Sequence, residues 1–248
     1  MNAFRAELLK VGTTRLLLWY GLGLAAFMTL VVSIHVGTDD RLDLQTASSQ
    51  RSLLAVSGLS AVVAVLVGTV LVASEYHHGT INQSLLAIPD RVRLLAAKLG
   101  AALLVGAAFG VFADALILAL AELWYGGRGL TLHLGGGTAT PLLGAVGAAA
   151  LAAALGLGVA AILRRQTASI VIVLLWLLIG ENIVAVSPDA ARYAPGHVIA
   201  AVVTAHSDGS RDVLAVWAAV AVGAIYAAIL SGLGTLVVLG SDAPATGD

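Results

Sequence analysis

The sequence predicts an all-α membrane protein with six transmembrane helices, and three observations carry that prediction. Of the 248 residues, 59% are hydrophobic and only 11% are charged, and the mean hydropathy is +0.98. That composition lies in the membrane class. Six apolar runs each approach the roughly 20 residues that a helix needs to cross a bilayer. Polar, Gly- and Pro-bearing stretches separate them. Three smaller elements complete the predicted architecture: an N-terminal interfacial helix, a short capped helix on the cytoplasmic side, and a re-entrant outer segment before the last span. The whole chain, 1–248, reads as one transmembrane domain without an internal repeat.

In order, residues 2–14 place Phe4, Leu8 and Val11 on one helical face, with Arg5, Glu7 and Lys10 elsewhere, a pattern suited to the headgroup region. The spans are expected near 16–36, 52–73, 95–120, 140–163, 167–186 and 213–239. The first is longer than a signal-peptide core, and no Ala-x-Ala pattern follows it, so it reads as a span. The loops fall at 37–51, 74–94, 121–139, 164–166 and 187–212. Ala194–Ala205 is too short to span and too apolar to float, which suggests a re-entrant or interfacial helix pair. Residues 240–248 form a polar tail.

The stretch Ser74–Arg93, SEYHHGTINQSLLAIPDRVR, is the most structured of the polar interruptions. Gly79 breaks the helix before it, and Thr80 and Gln83 stand in capping-box relation. Ile81, Leu85 and Ile88 share one side of the new helix, with Asn82 and Gln83 on the other. Pro89 stops it, and Asp90 is placed to cap the next. A short, rigid helix held along a membrane surface is a docking element.

Basic residues set the orientation. With a cytoplasmic N-terminus, the inner side holds Arg5, Lys10, Arg15, Arg91, Arg93, Lys98, Arg164 and Arg165. The outer side holds Arg41, Arg51, Arg128, Arg192 and Arg211, together with the acidic Asp39, Asp40 and Asp43. Both termini are then cytoplasmic. Small residues recur at i+4 as Gly144/Ala148/Ala152/Gly156/Ala160, Gly21/Ala25/Thr29/Ser33 and Ala102/Gly106/Gly110/Asp114. Such ladders let helices approach closely in lipid and make a homotypic interface plausible.

Several chemistries are excluded. A net charge of −1 argues against a nucleic-acid partner. The absence of cysteine removes disulfides and thiol catalysis. Neither Lys10-Val11 nor Lys98-Leu99 can end a phosphate-binding P-loop, and no HExxH or other zinc-type grouping occurs. Ser57-Gly58 could offer a nucleophile, but no late span carries an interior histidine to pair with it, so no catalytic residue is assigned. Asp114, inside the third span on its small-residue face, and Glu181-Asn182, late in the fifth, are the candidate pathway residues, since ionisable groups in spans are costly unless they face protein or water.

The segments FRAELLKVGTTR, SEYHHGTINQSLLAIPDRVRLLAAKL and WLLIGEN (Trp176–Asn182), with the broken outer segment, resemble the permease subunits of bacterial type-2 ABC exporters. The resemblance implies a subunit of the bacterial cytoplasmic (inner) membrane that pairs with a second permease subunit and with two ATP-binding subunits. ATP and magnesium would belong to those partners, and no cofactor or metal to this chain. It also implies that the short helix is a coupling helix, with Glu75, Tyr76, His77, His78, Gly79, Thr80, Ile81, Asn82 and Gln83 at or beside the ATPase contact. His77 stands where the family often has arginine. The expected function is ATP-driven efflux of a hydrophobic or amphipathic substrate such as a drug, lipid or peptide. A non-transporting scaffold or immunity protein is the alternative.

Overall fold

Lipid offers the backbone no hydrogen-bond partner, so apolar runs of bilayer length must satisfy their amides internally. In the computed structural model they do so as helices. The structure describes residues 3–12, 15–38, 41–88, 90–135, 137–204 and 214–239, without the side chains of Arg41, Asn82, Leu85, Ala87, Val238 and Leu239. Expectations for Asp39, Asp40, Pro89, Arg211 and the tail 240–248 lie outside the described residues.

The N-terminal helix α1 (Ala3–Gly12) precedes α2 (Leu16–Thr38), α3 (Arg41–Leu44) and α4 (Ala47–Ala55). A 3-10 turn, Val56–Leu59, joins α4 to α5 (Ser60–His77), and α6 (Ile81–Ala87) leads to the long α7 (Arg91–Gly127). Then come α8 (Thr140–Leu163), α9 (Gln166–Leu175), a π-helical turn Trp176–Gly180, α10 (Glu181–Val184), α11 (Pro188–Ala191), α12 (Pro195–Thr204) and α13 (Val216–Leu239). Among the described residues six segments are long and apolar enough to cross a membrane: Leu16–Thr38, Ala47–His77, Arg91–Gly127, Thr140–Leu163, Gln166–Val184 and Val216–Val237.

The second and third spans extend beyond the expected limits at both ends. The second span begins at Ala47, because Thr46 caps it, its side chain accepting from the Ser49 amide at 3.2 Å. Most of the expected loop 37–51 is therefore helical. The third span continues to Gly127, because nothing before Gly126-Gly127 breaks it, and Glu122 sits exposed on that helix. One end of the bundle, here the basal end, carries α1, α6 and the C-terminus of α13. The opposite, apical end carries α3, α11 and α12.

Helix α8 is the axis, packed against α5, α7, α12 and α13. Its Ala148, Ala152 and Ala160 are fully buried. A side chain at Gly156 would strike the Val65 carbonyl of α5, one at Gly144 the Val202 carbonyl of α12, and one at Gly68 of α5 the Ala153 carbonyl of α8. On α7, Gly106 and Gly110 lie against Ala149 and Val146 in the same way. Two of the three small-residue ladders thus pack within one chain, which corrects the expectation of a homotypic interface for them; close backbone approach is needed first to seat α8 among its neighbours. The ladder on α2 differs. A Cβ at Gly21 would meet nothing within 4 Å, and Thr29 and Ser33 bond the carbonyls of Ala25 and Thr29 in their own helix.

Gly68→Val and Gly156→Val should each destabilise the fold by about 1–3 kcal/mol through overpacking, whereas Gly21→Val should be neutral. Thermal midpoints of the three purified variants in one detergent check this.

Candidate functional site

The basal site starts with a turn. Gly79, at φ +68, ends α5 in a Schellman motif: the Thr80 amide donates to the Glu75 carbonyl at 2.9 Å, and the Gly79 amide to that of Tyr76 at 3.4 Å. The expected capping box is not formed. Thr80 is itself helical (φ −82, ψ −7), which turns its hydroxyl away from the first amides of α6, and it makes no cap bond; its own amide, which the Gln83 side chain would need, is committed to Glu75. Asp90 caps α7 as expected, accepting from the Arg93 amide at 3.1 Å. So α6 is held between two defined turns.

Beneath it lies a buried cluster of two acids and two lysines. Glu75 Oε1 accepts from Lys98 Nζ at 2.7 Å and from Lys10 Nζ at 2.9 Å, and its Oε2 accepts from Ser84 Oγ at 3.2 Å. Glu7 Oε2 accepts from Lys98 at 2.8 Å and its Oε1 from Lys10 at 3.0 Å. Lys10 also donates to Ser84 Oγ at 3.0 Å. Four elements meet here: α1 (Glu7, Lys10), the end of α5 (Glu75), α6 (Ser84) and the start of α7 (Lys98). The charges balance. The Lys98 and Glu7 side chains are 2% and 5% exposed, and that of Lys10 is 49% exposed. Burial by itself lowers the Lys10 pKa, but its hydrogen bonds to Glu75 and Glu7, with their charges, outweigh this and hold it above the ordinary lysine value. The ammonium's contribution therefore persists through neutral pH and is lost only as pH climbs through that raised pKa.

On the expected apolar face of α1, Val11 is buried and Leu8 packs against the core, but the acidic Glu7 turns inward as well. Glu7 and Val11 are its buried residues, while Phe4 is 38% exposed. A charged residue can face inward when an opposite charge waits there. Glu7, Lys10, Ser84 and Lys98 were not among the expected site residues. One signal was available: lysine occurs only twice in the chain, and both copies are here.

Of the expected coupling residues, Glu75 points inward at 7% exposure. Tyr76 is half-buried beneath the Arg164 guanidinium, 5.9 Å from the ring centroid. Arg164 also donates to the Val237 carbonyl of α13. His77, His78, Gly79 and Gln83 are exposed, and Thr80 and Ile81 are partly so. Leu86 of α6 projects outward at 83% exposure.

The candidate pathway residues fall elsewhere and do not meet. Asp114 faces inward, against Ser57 at the 3-10 turn, with its Oδ1 buried and unbonded among the described residues. Glu181 accepts from Trp176 Nε1 at 2.6 Å and from the Gly196 amide at 2.7 Å, and its Oε2 lies 3.0 Å from His197 Nδ1. Asn182 bonds the Leu178 carbonyl within its own helix. Beside Glu181 opens a cavity of about 790 Å³ between α2, α4, α5, α8, α9, α12 and α13, lined almost wholly by apolar side chains. Among the described residues no group of three or more His, Cys, Asp or Glu could hold a metal ion.

A family model described as ABC-2 family transporter protein matches residues 3–180. A search of curated proteins found no match.

Lys98→Met should cost about 3–5 kcal/mol, because it leaves two buried carboxylates sharing only the half-exposed Lys10 as their cation. Lys10→Met should cost clearly less, because half of its side chain is exposed. Combining Lys98→Met with Glu7→Gln should recover part of the loss. Thermal unfolding of the three variants tests the ranking.

Proposed function

The chain belongs to the ABC-2 family of transporter proteins and is a multi-pass permease subunit of an ABC transporter, and on that premise we propose that it is an exporter subunit whose helix α6 couples ATP hydrolysis by a separate subunit to substrate efflux. One observation carries this reading: the four-charge cluster binds α6 to the ends of α5 and α7 and to α1. A force applied to the exposed face of α6 then reaches two spanning helices without being absorbed by a loose loop. Energy conversion between sites needs such an element with few internal degrees of freedom.

In this reading α1 lies in the headgroup layer, the basal end is cytoplasmic, and both termini are cytoplasmic. Basic residues crowd the basal span ends, which supports that orientation. Gln83 and Leu86, flanked by His77 and His78, would present the contact to the ATP-binding subunit; Glu75 and Tyr76 would act one layer behind it. Two ATP-binding subunits, carrying ATP and magnesium, and a second permease subunit would complete the transporter. The cargo is hydrophobic or amphipathic, as the apolar cavity between spans suggests, with Asp114, Glu181 and Asn182 nearest to a polar route.

Two measurements test the reading in the complex with its ATP-binding subunit. Leu86→Asp should abolish co-purification and transport while the variant stays monodisperse. Gln83→Cys, in a chain with no other cysteine, should cross-link to a single cysteine on the ATPase surface in a manner that responds to ATP. Normal transport by Leu86→Asp, or an ATPase that never associates, would defeat the assignment and favour a non-transporting scaffold or immunity protein.

A further inference from the structure

The wall of the large cavity nearest the apical end is helix α12, and both its ends are fastened by charge. At its N-terminus the Glu181 carboxylate accepts from the Gly196 amide at 2.7 Å. At its C-terminus Arg51 Nη2 donates to the Thr204 carbonyl at 2.8 Å. Acid at the N-terminus and base at the C-terminus each satisfy orphan backbone groups and oppose the helix dipole favourably. The two residues come from different spans, Glu181 from the fifth and Arg51 from the second. Trp176 and His197 fix the Glu181 carboxylate on its other sides. Between these fastenings Ile199, Ala200 and Val203 face the cavity.

The cavity itself selects by chemistry. Among the described residues no charged one lines it, and the hydroxyls at its edge are those of Ser52, Thr204 and Tyr226. The Tyr226 hydroxyl is already donated to the Tyr193 carbonyl at 2.8 Å, and the Thr204 hydroxyl to that of Ala200 at 3.0 Å. A charged ligand would lose its hydration there with nothing in return. The volume of about 790 Å³ lies in the range of sites that enclose one drug-sized molecule.

We propose that this cavity binds an uncharged, hydrocarbon-rich molecule, and that Glu181 and Arg51 are positioning residues that keep α12 closed across its apical side. The identification of that ligand as cargo rests on the exporter reading. Binding and closure do not, and they are measured without nucleotide or partner.

The experiment places one cysteine at Ala200 in the full chain in lipid nanodiscs and follows its modification by two thiosulfonates, one benzyl and one trimethylammonium-ethyl. The cationic reagent should react at least about tenfold more slowly than the benzyl one, because the apolar space offers a charge no partner in exchange for its hydration. Arg51→Gln, alone or with Glu181→Gln, should raise the cationic rate about tenfold by freeing α12 to open locally. Arg51→Lys should keep it slow, and a cysteine at the outward-facing Leu178 should be unaffected by any of these changes. The single Arg51 variant decides the matter if the double variant is not monodisperse. Added N-phenyl-1-naphthylamine that protects Ala200→Cys identifies a free molecule as the ligand; protection that varies only with the acyl chain of the nanodisc lipid identifies a lipid tail. Equal rates for both reagents in the fastened protein, cationic rates indifferent to Arg51, or protection by neither hydrocarbon would overturn the proposal.

Discussion

Two glutamates and two lysines, bonded to each other at the basal end, are the constraint on which the rest of this molecule depends. Glu7 and Lys98 are almost wholly removed from water, so the loss of either leaves buried charge short of its partner. Desolvation makes such a cluster a poor source of net stability compared with apolar packing. What it supplies is a link between elements. The observed placement of α1, α6 and the ends of α5 and α7 neutralises all four charges, and it stands α6 on two spans at once. The Schellman turn at Gly79 and the Asp90 cap limit how α6 can enter and leave.

Above this cluster the bundle is held by a different force. Helix α8 is built so largely of alanine and glycine that its backbone lies nearly against those of α5, α7 and α12. In lipid there is no hydrophobic gain from hiding one apolar helix behind another, so close van der Waals contact has to do that work. The tight centre contrasts with α2 and the fifth span, whose apolar windows are only 17% and 11% buried. Around the tight axis there is consequently room, between α2, α5, the fifth span and α12, for the apolar cavity.

Glu181 illustrates how one residue supports two interpretations. From its position in an apolar run it stands as a pathway residue. In the fold its carboxylate is engaged by an indole, a backbone amide and an imidazole, which makes it the fastening of a wall. The two roles are compatible, since a wall that opens is part of a pathway, but the contacts belong to the second. Asp114 is the reverse: it faces inward as its small-residue ladder indicated, and its Oδ1 is left without a hydrogen bond among the described residues.

The sequence by itself determined the class, the number of spans and most of their limits, because the length and polarity of an apolar run are local properties that a bilayer reads directly. It also determined the helix break at Gly79 and the cap at Asp90, since both are set within a few residues. The tertiary structure alone decided which polar residues belong together. Glu7 and Lys98 are separated by 91 positions, and Arg51 and Thr204 by 153. No periodicity could reveal that Glu7, on the seemingly polar side of α1, turns inward. Apolar patterning assumes that charge seeks water, and the assumption fails wherever the fold brings an opposite charge to meet it.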